Sequence, residues 1–197
     1  MDASGHSAIY LCGSSGSRSR PSHRSVYCDQ GNAAEQDGQQ GHDTFKDVDG
    51  TAWLVHSSDW NKTLRLSRLT EDFTDVDGFY ASALTDQTRE APALMYRDGK
   101  YYMITSGCTG WQPNSALYAE CDHLCGQWKL IDNPCEGDNY RRTFEGQSTY
   151  IFERDGKTYL MLDHWHPEDL KSSGYSILPV EVVEGILSVI WQENFCG

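Results

Sequence analysis

Apolar and aromatic positions in this chain fall in short runs separated by turn dipeptides, and three of the runs open alike. They are DVDGTAWLVHSS at 47–58, YRDGKYYMITSG at 96–107 and ERDGKTYLMLDH at 153–164. Asp-Gly is a strong hairpin signal because both residues tolerate positive φ, and the run after it suits a buried strand. The turn glycines, Gly50, Gly99 and Gly156, stand 49 and 57 residues apart. Such a period holds about four short strands, the content of one β-propeller blade. The pattern predicts strands at 43–47, 51–57, 63–69 and 78–83, then at 91–96, 100–106, 115–120 and 127–132. A third set falls at 148–153, 157–162, 173–180 and 186–192. Helical periodicity is persuasive nowhere, and 180–190 reads as two strands around Glu184-Gly185. The chain therefore reads as all-β, an incomplete β-propeller of about three full blades plus part of another, with its chemistry expected around the axis.

Residues 1–40 depart from the pattern. AIYLCGSS at 8–15 aligns with TAWLVHSS at 51–58, but GSSGSRSRPSHRS and GNAAEQDGQQG have the small, polar composition of a linker. We expect a degenerate or partly disordered partial blade over 1–40 and the regular blades over 41–197. An open ring would leave strand edges and apolar faces uncovered, so the chain by itself is expected to turn over substrate weakly or not at all.

Sixteen basic against 29 acidic residues give a formal net charge of −13, which argues against nucleic acid or an anionic membrane as partner. No run is long enough to span a membrane, and no signal peptide is visible at the N-terminus. The seven cysteines, at 12, 28, 108, 121, 125, 135 and 196, form no CxxC pair, and Cys121 with Cys125 lacks a matching histidine cluster. No metal and no cofactor are therefore expected. His164, His166 and neighbouring Asp163 have ligand-like spacing, yet two histidines do not complete a site, so a satisfied or surface histidine is the preferred reading. Trp53, Tyr101, Tyr102 and Tyr159 lie inside second strands and are assigned to the core. Asn61-Lys62-Thr63 is an N-glycosylation sequon, relevant to an exported protein.

The innermost strand of each blade lines the channel, and here it precedes the Asp-Gly turn. Asp43 lies seven residues before Gly50, Glu90 nine before Gly99 and Gln147 nine before Gly156. The offsets share a parity, so three polar side chains are expected on one face at one end of equivalent strands. The competing reading is that polar residues merely cap strand ends. Two carboxyl groups across a cleft suit glycoside hydrolysis, in which one acid must remain protonated near neutral pH. Asp43 beside Glu90 is expected to raise the acid's pKa by like-charge repulsion.

The stretches GHDTFKDVDGTAWLVHSSDWNKTLRLSRLT, REAPALMYRDGKYYMITSGCTGWQPN, GQSTYIFERDG and DHWHPEDLKSSGYSILPVEV resemble consecutive pieces of a glycoside hydrolase family 43 five-bladed propeller. The likeness covers about 41–195 and is closest to the branch of exo-β-1,3-galactanases. It implies that Glu90 in REAPA is the general acid. Asp43 in GHDTF would then be the carboxylate that tunes and orients it, and Gln147 in GQSTY the glutamine near the attacking water. Thr109 and Trp111 in CTGW match a loop at the sugar-binding subsite, and Asn114 and Trp165 are grouped with them. His42 and His164 stand where the family's pattern usually has arginine, and the blades that supply the family's usual base have no counterpart in 41–197.

The reading that follows is an inverting exo-hydrolase of β-1,3-linked galactan or related plant polysaccharide side chains. Its partner would be an oligo- or polysaccharide, and its location extracellular or periplasmic. The alternatives are an α-L-arabinofuranosidase or β-xylosidase of the same fold and an inactive carbohydrate-binding remnant.

Overall fold

A computed structural model describes residues 42–193; the expected partial blade over 1–40 lies outside them. Thirteen strands and two short 3-10 segments, Tyr140–Glu145 and Leu170–Ser172, make up the described chain. The first sheet is a meander of β1 (His42–Lys46), β2 (Ala52–Ser58), β3 (Thr63–Leu69) and β4 (Val76–Ala83). The second repeats it with β5 (Arg89–Arg97), β6 (Lys100–Gly107), β7 (Leu117–Cys121) and β8 (Lys129–Leu130). The third contains β10 (Gln147–Arg154), β11 (Lys157–His164), β12 (Gly174–Val183) and β13 (Ile186–Ile190). Its outer edge gains a two-residue strand, β9 (Cys135–Glu136), parallel to β13 and secured by the Val189 N–H to the Pro134 carbonyl at 2.7 Å. No hydrophobic run announces β9. Among the described residues the sheets do not close on themselves.

Two of the three Asp-Gly pairs form the tight hairpin expected of them. Asp98 and Gly99 (φ 50° and 84°), like Asp155 and Gly156 (52° and 74°), have the paired positive φ of a two-residue turn that matches strand twist. Glu184-Gly185 does the same between β12 and β13. Asp49-Gly50 instead sits in a wider loop, closed by the Asp47 N–H to the Thr51 carbonyl at 2.8 Å. The strand expected at 127–132 shrinks to Lys129–Leu130 because the chain before it folds back on itself. There the Trp128 indole N–H donates to the Leu124 carbonyl at 3.0 Å, and Trp128 is buried.

The second sheet is packed on both faces. Trp53, Val55, Leu64 and Leu66 of the first sheet meet Leu94, Tyr101, Met103 and Ala119. The opposite face presents Ala93, Tyr102, Ile104 and Tyr118 to Ile151, Leu160, Leu162 and Leu178 of the third. Burial on both faces explains why the second strands read as continuous apolar runs rather than alternating ones. Met103, Ile104, Leu160 and Leu162 are fully enclosed, each stabilising the fold by about 1.5–3 kcal/mol relative to exposure. Trp53, Tyr101, Tyr102 and Tyr159 are buried, as their positions predict.

Candidate active site

Asp43, Glu90 and Gln147 lie on β1, β5 and β10, the first strand of each sheet, with β5 packed between the other two. In the ladders Glu90 faces Ser106 and Gln147 faces Asp163, and both of these partners stand seven residues beyond their turn glycine. Asp43 faces Val55, only five beyond. Glu90 and Gln147 are thus level, and the Gln147 amide Nε2 donates to Glu90 Oε1 at 3.1 Å. Asp43 sits deeper along its strand. A cleft of about 450 Å³ between the first and second sheets, lined by Ala83, Leu84, Trp128 and Leu130, includes none of the three.

Irregular backbone sets this geometry. β5 carries a bulge between Glu90 and Ala93, with Ala91 at φ 49°, and β10 a bulge between Ser148 and Tyr150. The two bulges are tied together by the Ser148 hydroxyl, which donates to the Ala91 carbonyl at 2.6 Å. Bulges beside a site re-aim side chains. Just before β10, Thr143, Phe144 and Glu145 all have positive φ. The Thr143 hydroxyl donates to the Asn114 carbonyl (2.6 Å) and accepts from the Ala116 N–H (2.8 Å), so this strained entry to Gln147 is anchored to the second sheet.

Burial governs the electrostatics. The Asp43 carboxyl, 7% exposed, is pushed up to about 8 by loss of solvent, against the opposing pull of the Thr44 and Leu94 N–H groups. Burial also raises Glu90, opposed by hydrogen bonds from the Cys108 thiol and the Gln147 amide and by the charge of Arg89. Repulsion between Asp43 and Glu90, expected from their sequence offsets, contributes to neither shift. The charge of Asp43 acts instead on Tyr150 of β10, whose hydroxyl is raised first by burial and then by that carboxylate. The Arg89 guanidinium is engaged by Thr105, its Nε donating to Oγ1 at 3.0 Å and its Nη2 to the carbonyl at 2.7 Å. Cys108, Arg89 and Tyr150 escaped the sequence reading. The signals available were the adjacency of Arg89 to Glu90, the place of Cys108 at the head of CTGW and that of Tyr150 at the end of GQSTY.

The loop after β6 is held by Asn114. Its Oδ1 accepts the Gly107 N–H at 2.8 Å, and its Nδ2 donates to the Gly107 carbonyl at 2.8 Å and to Thr109 Oγ1 at 2.7 Å. The Thr109 hydroxyl in turn donates to the Gln112 carbonyl at 2.6 Å. Both residues therefore shape the loop. The turn they form carries Trp111, 53% exposed, against Trp165, 42% exposed, with ring centroids 5.5 Å apart and planes at 68°. Two aromatics separated by 54 positions in sequence thus form one open platform. His164 hydrogen-bonds the Glu145 carbonyl (3.1 Å) and Ser176 Oγ (2.7 Å), a satisfied histidine rather than a free ligand. Among the described residues no cluster of three or more His, Cys, Asp or Glu is placed to share a metal ion.

Residues 21–161 match the family model for glycosyl hydrolases family 43, a match that begins inside the segment set apart above as 1–40. A family 43 β-1,3-galactosidase solved with galactodeoxynojirimycin is 38% identical, with a TM-score of 0.76 over 80% of this chain and 46% of that one. An exo-β-1,3-galactanase from Clostridium thermocellum is 31% identical, with a TM-score of 0.69 over 77% of this chain and 34% of that one. A β-D-galactofuranosidase of Aspergillus niger is 28% identical over 123 residues, covering 61% of this chain and 35% of its own length. The chain thus spans between about a third and a half of the length of these relatives.

Proposed function

The chain belongs to glycosyl hydrolase family 43, and on that premise we propose that it carries the acid half of an inverting exo-hydrolase of β-1,3-linked galactan. Its three sheets are read as consecutive blades of a five-bladed propeller, with β1, β5 and β10 lining the channel. The observation that carries the proposal is the Gln147–Glu90 contact: a carboxyl raised by burial and held by an amide where two inner strands meet. Oε1 of Glu90 accepts the amide hydrogen, which leaves the other oxygen to carry the proton given to the glycosidic oxygen. Asp43, itself neutral through much of the working pH range, adds no charge to the channel floor, and burial alone raises the acid.

An inverting site needs its water-activating group about 6.5–9.5 Å across the sugar from the acid. Gln147, in contact with Glu90, is therefore better suited to orienting the acid than to activating water. Thr109 and Asn114 shape the loop that presents Trp111, and Trp111 with Trp165 offers an apolar face to a pyranose ring. A polysaccharide substrate implies a location outside the cytoplasm. The deciding experiment is a release assay on β-1,3-galactooligosaccharides beside aryl galactofuranosides, arabinofuranosides and xylosides, with the product anomer followed by NMR. Galactose released first as the α-anomer supports the proposal, and preferential release of a pentose or of galactofuranose refutes it.

A further inference from the structure

In the first sheet a third tryptophan holds the place that Trp111 and Trp165 hold in the second and third. Each follows the second strand of its sheet: Trp60 two residues beyond β2, Trp111 four beyond β6 and Trp165 one beyond β11. In all three sheets the end of that strand pairs with the start of the first strand. Ser106 faces Glu90, Asp163 faces Gln147 and His56 faces His42. The three tryptophans therefore rise from one rim, the rim that carries Glu90. Trp60 is the most open of them at 72% exposed.

The backbone beneath Trp60 is held in a costly form. Asp59, Trp60 and Asn61 have φ of 52°, 57° and 63°, three successive left-handed residues, none of them glycine. A bulky residue with positive φ is an outlier that persists only where its surroundings over-determine it, as they do at ligand sites. Here the surroundings are identifiable. The Lys62 N–H closes the turn on the Asp59 carbonyl at 3.3 Å, and the Thr88 N–H donates to the Lys62 carbonyl at 3.2 Å. The Thr88 carbonyl, two residues before Glu90, lies 3.6 Å from the Cys108 sulfur. One line of hydrogen bonds and close contacts thus runs from the Trp60 turn, past the strand of the acid, to the loop that presents Trp111. The turn that bears Trp60 is thereby tied to the strand of Glu90, while the side chain stays open to solvent.

We propose that Trp60 is a saccharide-binding platform that stacks on a galactosyl unit of the substrate chain beyond the unit held at Trp111 and Trp165. The inference rests on the family 43 reading above. Its ligand class is a β-1,3-linked galactooligosaccharide long enough to reach from one platform to the other. Stacking suits the apolar C–H face of a pyranose, because an indole gives large contact area with little conformational entropy to lose.

The test is calorimetric titration of the full chain with β-1,3-galactotriose and with galactose, for the wild type, W60A, W60F and W111A. Trp60→Ala should weaken the trisaccharide roughly tenfold, as loss of one stacking contact predicts, and shift galactose less than twofold. Trp60→Phe should recover most of the loss, and Trp111→Ala should weaken both ligands. Trisaccharide affinity unchanged in W60A while W111A is impaired overturns the platform and leaves the family 43 reading intact. Absence of any saccharide binding by the wild-type chain overturns both. Unaltered circular dichroism and urea midpoint in W60A confirm that the effect is local to binding.

Discussion

Replacing Asp43 with asparagine should change how the stability of this protein follows pH. The carboxyl is 7% exposed, and burial raises its pKa from an ordinary 3.8 to about 8. Below about pH 4 the group is protonated in both the folded and unfolded states and costs nothing. Between about pH 4 and 8 the folded state keeps a proton that the unfolded state gives up, so stability falls by ~1.4 kcal/mol for each pH unit. Above about 8 both states are ionised and the loss is complete. A shift of about four units sets an upper bound of roughly 6 kcal/mol, and hydration of the site after ionisation should reduce the realised difference to about 3. The asparagine side chain carries no such proton and can still accept the Thr44 N–H, so its penalty is a constant offset. Urea midpoints of the two proteins at intervals from pH 4 to 9 give the comparison, and titration of other groups cancels in the difference. The variant should gain on the wild type steadily up to about pH 8. A difference that stays flat across the range refutes the burial argument.

Glu90→Gln should lower turnover of substrates with poor leaving groups by roughly two to four orders of magnitude and spare activated aryl glycosides; equal losses on both would remove Glu90 from the acid role. Cys108→Ala deletes a donor that holds the Glu90 pKa down, so the alkaline limb of the rate profile should move to higher pH, with Cys108→Ser close to wild type. A limb that moves down contradicts that hydrogen bond. Asn114→Ala removes the bonds to Gly107 and Thr109 and should cost about 1–3 kcal/mol in chemical denaturation. The same change should raise KM more than it lowers kcat, because it loosens the loop under Trp111; a change confined to kcat counts against that role.

The repeat was legible because hairpin chemistry and strand burial each leave a mark on local sequence. Asp98-Gly99 and Asp155-Gly156 form the turns their residues favour, and the apolar runs after them fill two interfaces. β9 left no mark. A two-residue strand is defined by its partner, and nothing in Cys135-Glu136 reveals that Ile186–Ile190 will lie beside it. No local pattern reveals the contact of Trp111 with Trp165, since each tryptophan belongs to a different sheet, and the family resemblance alone grouped the two.

Counting residues back from the turn glycines placed Asp43, Glu90 and Gln147 on the first strand of each sheet, but parity alone does not give depth. β5 and β10 each carry one extra residue in a bulge, whereas β1 pairs without one and is joined to β2 by a wider loop. These differences lift Glu90 and Gln147 to one level and leave Asp43 two ladder positions below. Repulsion of like charges falls with separation, whereas desolvation acts on each carboxyl alone. The expected electrostatic pair therefore became two independently buried acids, and the group that does touch Glu90 is the neutral amide of Gln147. An amide donor can hold a carboxyl in place without the Coulomb cost of a second charge. That hydrogen bond stabilises the carboxylate, so the raised pKa of Glu90 is the work of burial acting against it.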